Sequence, residues 1–126
     1  MSKGKILVAD DEEEIVKSVS LRLISNGYDV VTARDGIHAV TVAVKEKPDV
    51  IILDVCMPAG DGHLVAKHLK DLISTCEIPI IFLTARTDEE DFQKAYLEGV
   101  SKYITKPFNP NELMAAVSEL IVTACK

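Results

Sequence analysis

Five short apolar runs rich in β-branched residues alternate along the chain with five stretches of helical spacing, and this alternation limits the possible folds more than any other feature. The runs are residues 6–9, 29–32, 50–53, 78–84 and 103–105. The helical stretches are residues 12–25, 36–46, 62–73, 88–98 and 110–123. Repeated strand–helix units predict a parallel sheet covered by helices on both faces and joined by right-handed crossovers. We therefore predict an α/β fold with five parallel strands and five helices.

The apolar pattern also predicts which side chains form the core. The third and fourth runs are almost continuously apolar, which is typical of central parallel strands buried on both faces. Each helical stretch carries an apolar stripe on one side, and we expect these stripes to face the sheet. The stripes are formed by Ile15, Val19 and Leu23, by Ile37, Val40 and Val44, by Leu64, Val65, Leu69 and Leu72, by Phe92, Ala95 and Tyr96, and by Leu113, Ala116, Val117 and Leu120.

Size and charge favour one cytoplasmic domain. The chain has 126 residues and a formal net charge of −6, which argues against nucleic-acid binding and against a polybasic membrane contact. No apolar run is long enough to span a bilayer, and the first residues lack the features of a signal peptide. The thiols of Cys56, Cys76 and Cys125 are odd in number and widely spaced, as expected for reduced cysteines. The last helix is expected to run almost to Lys126, which leaves no room for an output domain.

Polar side chains follow four of the predicted strands at the edge where ligands of open α/β sheets bind. The first strand is followed by Asp10 and Asp11, the third by Asp54, the fourth ends in Thr84, and Lys106 follows the fifth. Three carboxylates in one place would repel each other, and oxygen-only ligands favour Mg²⁺ or a similar hard cation. A lysine and a hydroxyl can bind phosphoryl oxygens, and a carboxylate can be the nucleophile. The arrangement predicts phosphoryl transfer to an aspartate.

Each of these residues also has an ordinary structural explanation. The acidic run at residues 10–14 fits a helix amino terminus, where carboxylates interact favourably with the helix dipole. Thr84 alone could be a strand-end residue, and Lys106 alone a surface lysine. Asp54 is harder to explain this way, because it follows four apolar residues and an unpaired carboxylate there would be costly. The joint arrangement at four strand ends favours a functional site.

With these motifs in order, the chain resembles the receiver domain of two-component response regulators, especially single-domain receivers of the chemotaxis type. The resemblance covers about residues 4–124. Its motifs are Asp10-Asp11, residues 54–62, Thr84-Ala85 and Lys106-Pro107-Phe108. It implies a flavodoxin-like, doubly wound sheet with strand order 2-1-3-4-5, and a single receiver domain over residues 1–126.

The resemblance also implies a role for each residue of the site. Asp54 would accept the phosphoryl group. Asp11 would bind Mg²⁺ (or Mn²⁺) directly together with Asp54, with Asp10 contributing partly through water and the backbone carbonyl of Cys56 completing the protein ligands. Lys106 would pair with the acceptor carboxylate or with its phosphate.

Further residues are expected to carry the switch. Thr84 would move towards the phosphoryl group and form a hydrogen bond with it, and Tyr103 would rotate inward on activation. The peptide bond before Pro107 is expected to be cis. The fourth helix, fifth strand and fifth helix would form the output surface. Cys56 and Arg86 lie two residues beyond Asp54 and Thr84, where side chains could tune the lifetime of the phosphoryl group.

The resemblance implies partners as well. The phosphoryl group would come from a phosphohistidine of a sensor histidine kinase or histidine phosphotransfer protein, or from a small donor such as acetyl phosphate. The protein would be a phosphoacceptor that catalyses only its own phosphorylation and dephosphorylation, rather than an enzyme with a separate substrate. The sequence does not identify the output protein, and it predicts no direct contact with nucleic acid or membrane.

Two other functions remain as alternatives. A receiver-like scaffold that is never phosphorylated would be expected to lack one of the acids, the threonine or the lysine, and all are present. A haloacid-dehalogenase-type hydrolase needs a second aspartate two residues after Asp54, where this chain has Cys56. The spacing of His38, His63 and His68 does not suit a metal site, and we expect surface histidines there.

Overall fold

Strands and helices alternate five times in the computed structural model, which describes residues 2–57, 61–85 and 88–124. The strands are β1 (Lys5–Ala9), β2 (Asp29–Ala33), β3 (Val50–Asp54), β4 (Ile80–Thr84) and β5 (Lys102–Thr105). The helices are α1 (Glu13–Ser25), α2 (Gly36–Glu46), α3 (Gly62–Asp71), α4 (Glu89–Leu97) and α5 (Pro110–Ala124). All strand pairs are parallel, in the order β2-β1-β3-β4-β5, which confirms the predicted doubly wound α/β fold. Among the described residues, no helix combines the length and the apolar character needed to cross a lipid bilayer.

The register of the sheet places the ends of the central strands at one level. Asp54 lies opposite Leu83 in the ladder between β3 and β4, and Thr84 lies opposite Thr105 in the ladder between β4 and β5. Asp10 follows directly on β1, the other neighbour of β3. Because the strands are parallel, the polar residues that follow them meet at the carboxyl edge of the sheet.

Alternate residues of the strands point to opposite faces, so the sheet has an apolar cluster on each side. One cluster combines strand residues with α2, α3 and α4: Leu7, Ile51, Leu53, Ile80 and Phe82 with Ala39, Ala43, Val65, Leu69 and Ala95. The other combines strand residues with α1 and α5: Ile6, Val8, Ile52, Ile81 and Leu83 with Val19, Leu23, Leu113 and Val117. Burial of both faces explains why β3 and β4 are apolar up to their last residues, Asp54 and Thr84.

Gly62 allows α3 to begin directly against the end of β3. A Cβ atom at this position would lie 2.6 Å from Cα of Val55 and 2.8 Å from the carbonyl oxygen of Asp54. The backbone N–H of Gly62 donates to the carbonyl of Val55 at 2.8 Å. Any larger residue would displace the start of α3 from the strand that carries Asp54.

Two elements are shorter than predicted. α3 ends at Asp71 rather than at residue 73, because Leu72 adopts an extended backbone with φ −91° and ψ 132°. β4 begins at Ile80 rather than at Ile78, since Pro79 has no N–H to contribute to a ladder. The remaining boundaries agree with the prediction to within about one residue, which is finer than the usual disagreement between definitions of helix ends.

The prediction was wrong for several side chains of the helical stripes. Exposed instead of buried are Ile37, Val44, Leu64, Phe92 and Tyr96. In α2, the contact with the sheet is made by the small residues Ala39 and Ala43. A small residue at the point of closest approach narrows the buried strip of a helix, so large apolar residues at its margins remain in solvent.

Candidate functional site

Asp54 is a buried carboxylate at the end of the central strand β3. It is 4% exposed, and the backbone N–H of Cys56 donates to its Oδ1 at 3.2 Å. Burial, and then the negative charge of Asp10, raise the pKa of Asp54 from 3.8 to about 6, although the Cys56 N–H and the charge of Lys106 act in the opposite direction. A carboxyl group with a raised pKa is more basic than an ordinary aspartate, and its ionised form is correspondingly more reactive towards electrophiles.

Asp54 belongs to a cluster of three carboxylates, which we call the acidic cluster. One carboxylate oxygen each of Asp10, Glu12 and Asp54 lies within 4.8 Å of the others. Asp10 is also buried, and its Oδ1 accepts the backbone N–H of Glu12 at 2.9 Å. This all-oxygen, anionic donor set fits a hard divalent cation, which would relieve the mutual repulsion of the carboxylates. The cluster could therefore bind a metal.

Lys106 is the cation of the acidic cluster. Its Nζ lies 3.1 Å from Oδ2 of Asp10, 3.2 Å from Oε1 of Glu12 and 3.7 Å from Oδ2 of Asp54. Burial disfavours the charged lysine, but the hydrogen bond and charge of Asp10, together with Asp54 and Glu12, outweigh it, so the pKa of Lys106 is raised above 10.5. Its backbone N–H donates to the carbonyl of Thr84 at 2.7 Å, which ties it to the end of β4. The lysine thus reaches the carboxylates from the end of β5, which lies two strands from β3 in the sheet.

The peptide bond between Lys106 and Pro107 is cis. Cis bonds in folded proteins are largely confined to X–Pro pairs, and the resemblance implies one at this pair.

The structure does not bring every expected ligand into the acidic cluster. Asp11 is exposed, and the third carboxylate beside Asp10 and Asp54 belongs to Glu12. Sequence reasoning missed Glu12 by assigning it to the helix start alone. The signal that could have found it is its position at the amino end of α1, two residues after Asp10, where the chain still faces the carboxyl edge of the sheet. The carbonyl of Cys56 remains a predicted ligand.

Residues 58–60, within the motif at residues 54–62, lie outside the described residues, and so do residues 86–87, which follow the Thr84-Ala85 motif. The prediction for Arg86 falls on the second of these, and Cys125 likewise lies outside the described part of the chain.

The predicted switch residues lie on neighbouring strands. Thr84 is buried at the end of β4, and Tyr103 lies half-buried on β5, opposite Phe82 in the ladder. The hydroxyl of Tyr103 donates to Oδ2 of Asp91 at 2.6 Å. Its ring packs edge-on against Phe92 with a centroid distance of 5.3 Å. Tyr103 thus connects the sheet to α4.

The prediction of a surface histidine was wrong for His63. Its side chain is 1% exposed, and its ring meets Phe82 edge-on at a centroid distance of 5.1 Å. Nε2 lies 2.8 Å from Oδ1 of Asp91, and Nδ1 contacts Oε1 of Glu98. His63 lies three residues before the buried Ala66 and therefore on the inward side of α3. His68 is exposed, as predicted.

A doubly wound parallel sheet with carboxylates and a lysine at its carboxyl edge defines a class of α/β domains equipped to hold a hard cation beside a phosphate-like anion. A family model described as the response regulator receiver domain matches residues 6–118. The chain therefore belongs to the response regulator receiver domain family and acts in two-component, phosphorelay signalling. Members of this family are signalling phosphoacceptors rather than conventional enzymes, and they interact with histidine kinases.

Curated relatives include longer transcriptional regulators. The chain is 44% identical over 117 residues to the alkaline phosphatase synthesis transcriptional regulatory protein PhoP of Bacillus subtilis, covering 93% of this chain and 48% of that protein. It is 41% identical over 117 residues to the phosphate regulon transcriptional regulatory protein PhoB of Escherichia coli, covering 93% and 51%. The chain thus spans about half the length of the curated relatives it matches.

Solved structures show the same fold. The chemotaxis response regulator CheY4 of Vibrio cholerae matches with a TM-score of 0.87 and 36% identity, covering 95% of this chain and 98% of that one. The receiver domain of sensor histidine kinase PA1611 from Pseudomonas aeruginosa, with a magnesium ion coordinated in its active site cleft, matches with a TM-score of 0.86 and 30% identity, covering 94% and 97%.

Proposed function

We propose that Asp54 accepts a phosphoryl group from a phosphohistidine of a sensor histidine kinase or histidine phosphotransfer protein, and that the modified domain then presents an altered output surface. The observation that carries this proposal is the buried Asp54 carboxylate, held within reach of Lys106 inside a cluster of excess negative charge. Such an arrangement suits a nucleophile that reacts with a phosphoryl group once a cation is bound beside it. The full set of acids, threonine and lysine gives no support to a scaffold that is never phosphorylated.

The chemistry requires the ionised form of Asp54. A carboxylate oxygen attacks phosphorus, an O–P bond forms, the P–N bond of the donor breaks, and its electron pair remains on the donor imidazole. Asp10 is less suited to attack, because both of its oxygens accept hydrogen bonds, from Glu12 N–H and from Lys106. Lys106 offsets negative charge on the phosphoryl oxygens as they approach, and the N–H of Cys56 holds the other carboxylate oxygen of Asp54 in place.

The cation we propose is Mg²⁺, with Mn²⁺ as a substitute. The residues that would hold it are Asp11 and Asp54, the backbone carbonyl of Cys56, and Asp10 partly through water; when bound, it would supply positive charge beside the phosphoryl oxygens. Glu12 extends the same acidic surface and pairs with Lys106. The magnesium ion in the PA1611 receiver domain supports this choice of metal.

The switch we propose joins Thr84 and Tyr103. Thr84 would donate its hydroxyl to a phosphoryl oxygen, and Tyr103 would rotate inward as the face formed by α4, β5 and α5 changes, which we call the output face. Hydrolysis by an activated water would return the domain to its resting state. We propose one receiver domain over residues 1–126, with an output partner that recognises the output face and with no direct nucleic-acid or membrane contact by these residues.

We place this function in the cytoplasm. Cys56 and Cys76 are free thiols, which persist in a reducing compartment. A histidine kinase that donates to Asp54 needs ATP, which the cytoplasm supplies.

The direct test is phosphorylation by acetyl phosphate with Mg²⁺. Intact-mass analysis should show one added phosphoryl group that hydroxylamine removes, because an aspartyl phosphate is an acyl phosphate. Asp54→Asn should abolish the adduct completely. Asp71→Asn, at the exposed end of α3, is the matched control and should react like the unaltered protein. Failure to form an adduct with acetyl phosphate or with any phosphohistidine donor would contradict the proposal.

A further inference from the structure

A second polar cluster packs on Phe82 of β4, on the face of the sheet covered by α3 and α4, and uses none of the residues of the acidic cluster. It consists of His63, Asp91, Glu98 and Tyr103, and we call it the imidazole cluster. His63 belongs to α3, Asp91 lies in the first turn of α4, Glu98 caps the carboxyl end of α4, and Tyr103 belongs to β5. The cluster therefore joins three elements through side chains that are far apart in the sequence.

Both ring nitrogens of His63 face carboxylates. Nε2 lies 2.8 Å from Oδ1 of Asp91, and Nδ1 contacts Oε1 of Glu98. A histidine ring can form hydrogen bonds through both nitrogens, and the tautomer decides which of them donates. Hydrogen bonds in the interior of a protein are electrostatically stronger than those in water. His63 is thus bonded to α4 at two points.

These two contacts hold a helix that buries few of its own side chains. Of the nine residues of α4, only Asp91 and Ala95 are buried, while Phe92, Tyr96 and Leu97 are exposed. Asp91 and Glu98 stand seven residues apart, so one imidazole holds both ends of the helix. Stability is lower where few apolar side chains are buried, and α4 is therefore expected to depend on His63 for its position.

The same cluster holds the predicted switch residue. Asp91 binds His63 through Oδ1 and accepts the hydroxyl of Tyr103 through Oδ2 at 2.6 Å. The rings of His63 and Tyr103 both pack on Phe82, at centroid distances of 5.1 Å and 6.3 Å. Tyr103 can rotate inward only by breaking its bond to Asp91, and Asp91 is oriented by His63.

We propose that His63 is a positioning residue for the switch. By binding Asp91 and Glu98, it fixes α4 on α3 and keeps Asp91 in place as the acceptor of the Tyr103 hydroxyl. These contacts stabilise the resting form of the output face. This rests on the proposed function for the part that Tyr103 plays on activation, whereas the resting arrangement of Tyr103 does not depend on phosphorylation. Since α3 begins at Gly62 against the backbone of Asp54, His63 also connects α4 to the strand that carries the acceptor.

The first test uses the unphosphorylated protein labelled with fluorotyrosine, with the resonance of Tyr103 assigned by Tyr103→Phe. His63→Phe keeps the ring packed on Phe82 but removes both nitrogens. We expect the ¹⁹F resonance of Tyr103 to shift in the same direction as in Asp91→Ala, and the amides of α4 to exchange faster. The double variant should shift no further than Asp91→Ala, because His63 acts through Asp91. His68→Phe, an exposed histidine on the same helix, is the matched control and should leave the resonance unchanged.

A second variant keeps the test decisive if His63→Phe unfolds the protein. His63→Gln can donate to one of the two carboxylates, and we expect an intermediate shift of the Tyr103 resonance in a folded domain. A purely structural role predicts faster exchange in α4 with no change at Tyr103. An unchanged Tyr103 resonance in a folded His63→Phe or His63→Gln protein would overturn the proposal.

The last test separates this proposal from the function of Asp54. If His63 stabilises the resting form, His63→Phe should speed phosphorylation by acetyl phosphate by about two- to tenfold, the range typical of substitutions that alter coupling between sites. An unchanged or slower rate, with a normal adduct on Asp54, would overturn the role of His63 while leaving the acceptor intact. Absence of any adduct in every variant would instead contradict the proposed function, and the Tyr103 resonance would still report on the resting contact.

Discussion

The acidic cluster and the imidazole cluster each contain buried carboxylates, Asp10 and Asp54 in the first and Asp91 in the second, but these carboxylates have different partners. In the acidic cluster, Asp10, Glu12 and Asp54 face the single ammonium group of Lys106. Negative charge is in excess, and the raised pKa of Asp54 reflects burial followed by the repulsion of Asp10. The excess negative charge of the acidic cluster favours binding of a cation from outside the chain.

The imidazole cluster contains its own partners. Asp91 has a hydrogen-bonding partner at each oxygen, and each nitrogen of His63 has a carboxylate beside it. A buried polar network in which every member is bonded rigidifies the elements that it joins. The contrast agrees with the proposed roles, in which Asp54 of the acidic cluster reacts and the imidazole cluster positions the output face.

The largest effect that tests this contrast is on the rate of phosphorylation. Lys106→Met keeps most of the side-chain length but removes the only cation described within the acidic cluster. We expect the rate with acetyl phosphate to fall by about 100-fold, the scale seen when one charge-stabilising donor is removed from an active site. Lys102→Met, four residues earlier in β5 and paired with the exposed Glu119, is the control. A comparable loss in Lys102→Met would mean that general electrostatic attraction, rather than the cluster, drives the reaction.

The next effect is on stability and depends on pH. The folded protein holds the proton of Asp54 more tightly than the unfolded chain, because the pKa of Asp54 is raised from 3.8 to about 6. As pH rises from about 4 to about 6, the unfolded chain loses this proton first, so the carboxyl group progressively destabilises the folded state. Above about pH 6 the penalty is complete, and below about pH 4 it is absent.

Asp54→Asn removes this penalty. Without divalent cations, we expect it to raise the free energy of unfolding at pH 7.5 by on the order of 2 kcal/mol, and to have little effect below about pH 4. Urea unfolding at the two pH values measures the difference, and Asp71→Asn controls for the loss of an exposed carboxylate. Destabilisation by Asp54→Asn at pH 7.5 would show that the charges around Asp54 are balanced after all, contrary to the comparison of the two clusters.

The fold and the acidic cluster could be predicted because local signals carry them. Apolar runs identified the strands, parallel order brought their carboxyl ends together, and a charged residue after four apolar ones marked Asp54. Asp11 was expected as a ligand, whereas Glu12 joins the cluster because its side chain pairs with Lys106, 94 residues later. Such a contact depends on how α1 and β5 are placed, which no local pattern records.

The imidazole cluster could not be predicted for the same reason. His63 meets Asp91 and Glu98 across 28 and 35 residues, and the histidine taken alone resembles a surface residue. For Phe92 and Tyr96 the error is the opposite one, since they were predicted to be buried and are exposed. Spacing identifies the apolar side of α4 but not how much of that side contacts the sheet. Several of the contacts that escaped prediction are thus made by α4, a helix in which only Asp91 and Ala95 are buried.

The smallest expected effect comes from a charge pair at the surface. Nη2 of Arg34 lies 2.8 Å from Oε1 of Glu13, closer than Lys106 lies to any carboxylate, but the two side chains are 75% and 74% exposed. Water screens such a pair, and ordering two long side chains has an entropic cost, so Arg34→Gln should change the free energy of unfolding by less than about 0.5 kcal/mol.

Urea unfolding of Arg34→Gln, Glu13→Gln and the double variant isolates the interaction itself, and added salt should remove what little there is. A coupling energy above about 1 kcal/mol would be larger than exposed pairs usually contribute. It would mean that proximity alone determines the strength of these charge pairs. A value near zero would support the view that charges contribute strongly to stability only where they are buried. Asp10, Asp54 and Asp91 of the two clusters are buried, whereas Arg34 and Glu13 are not.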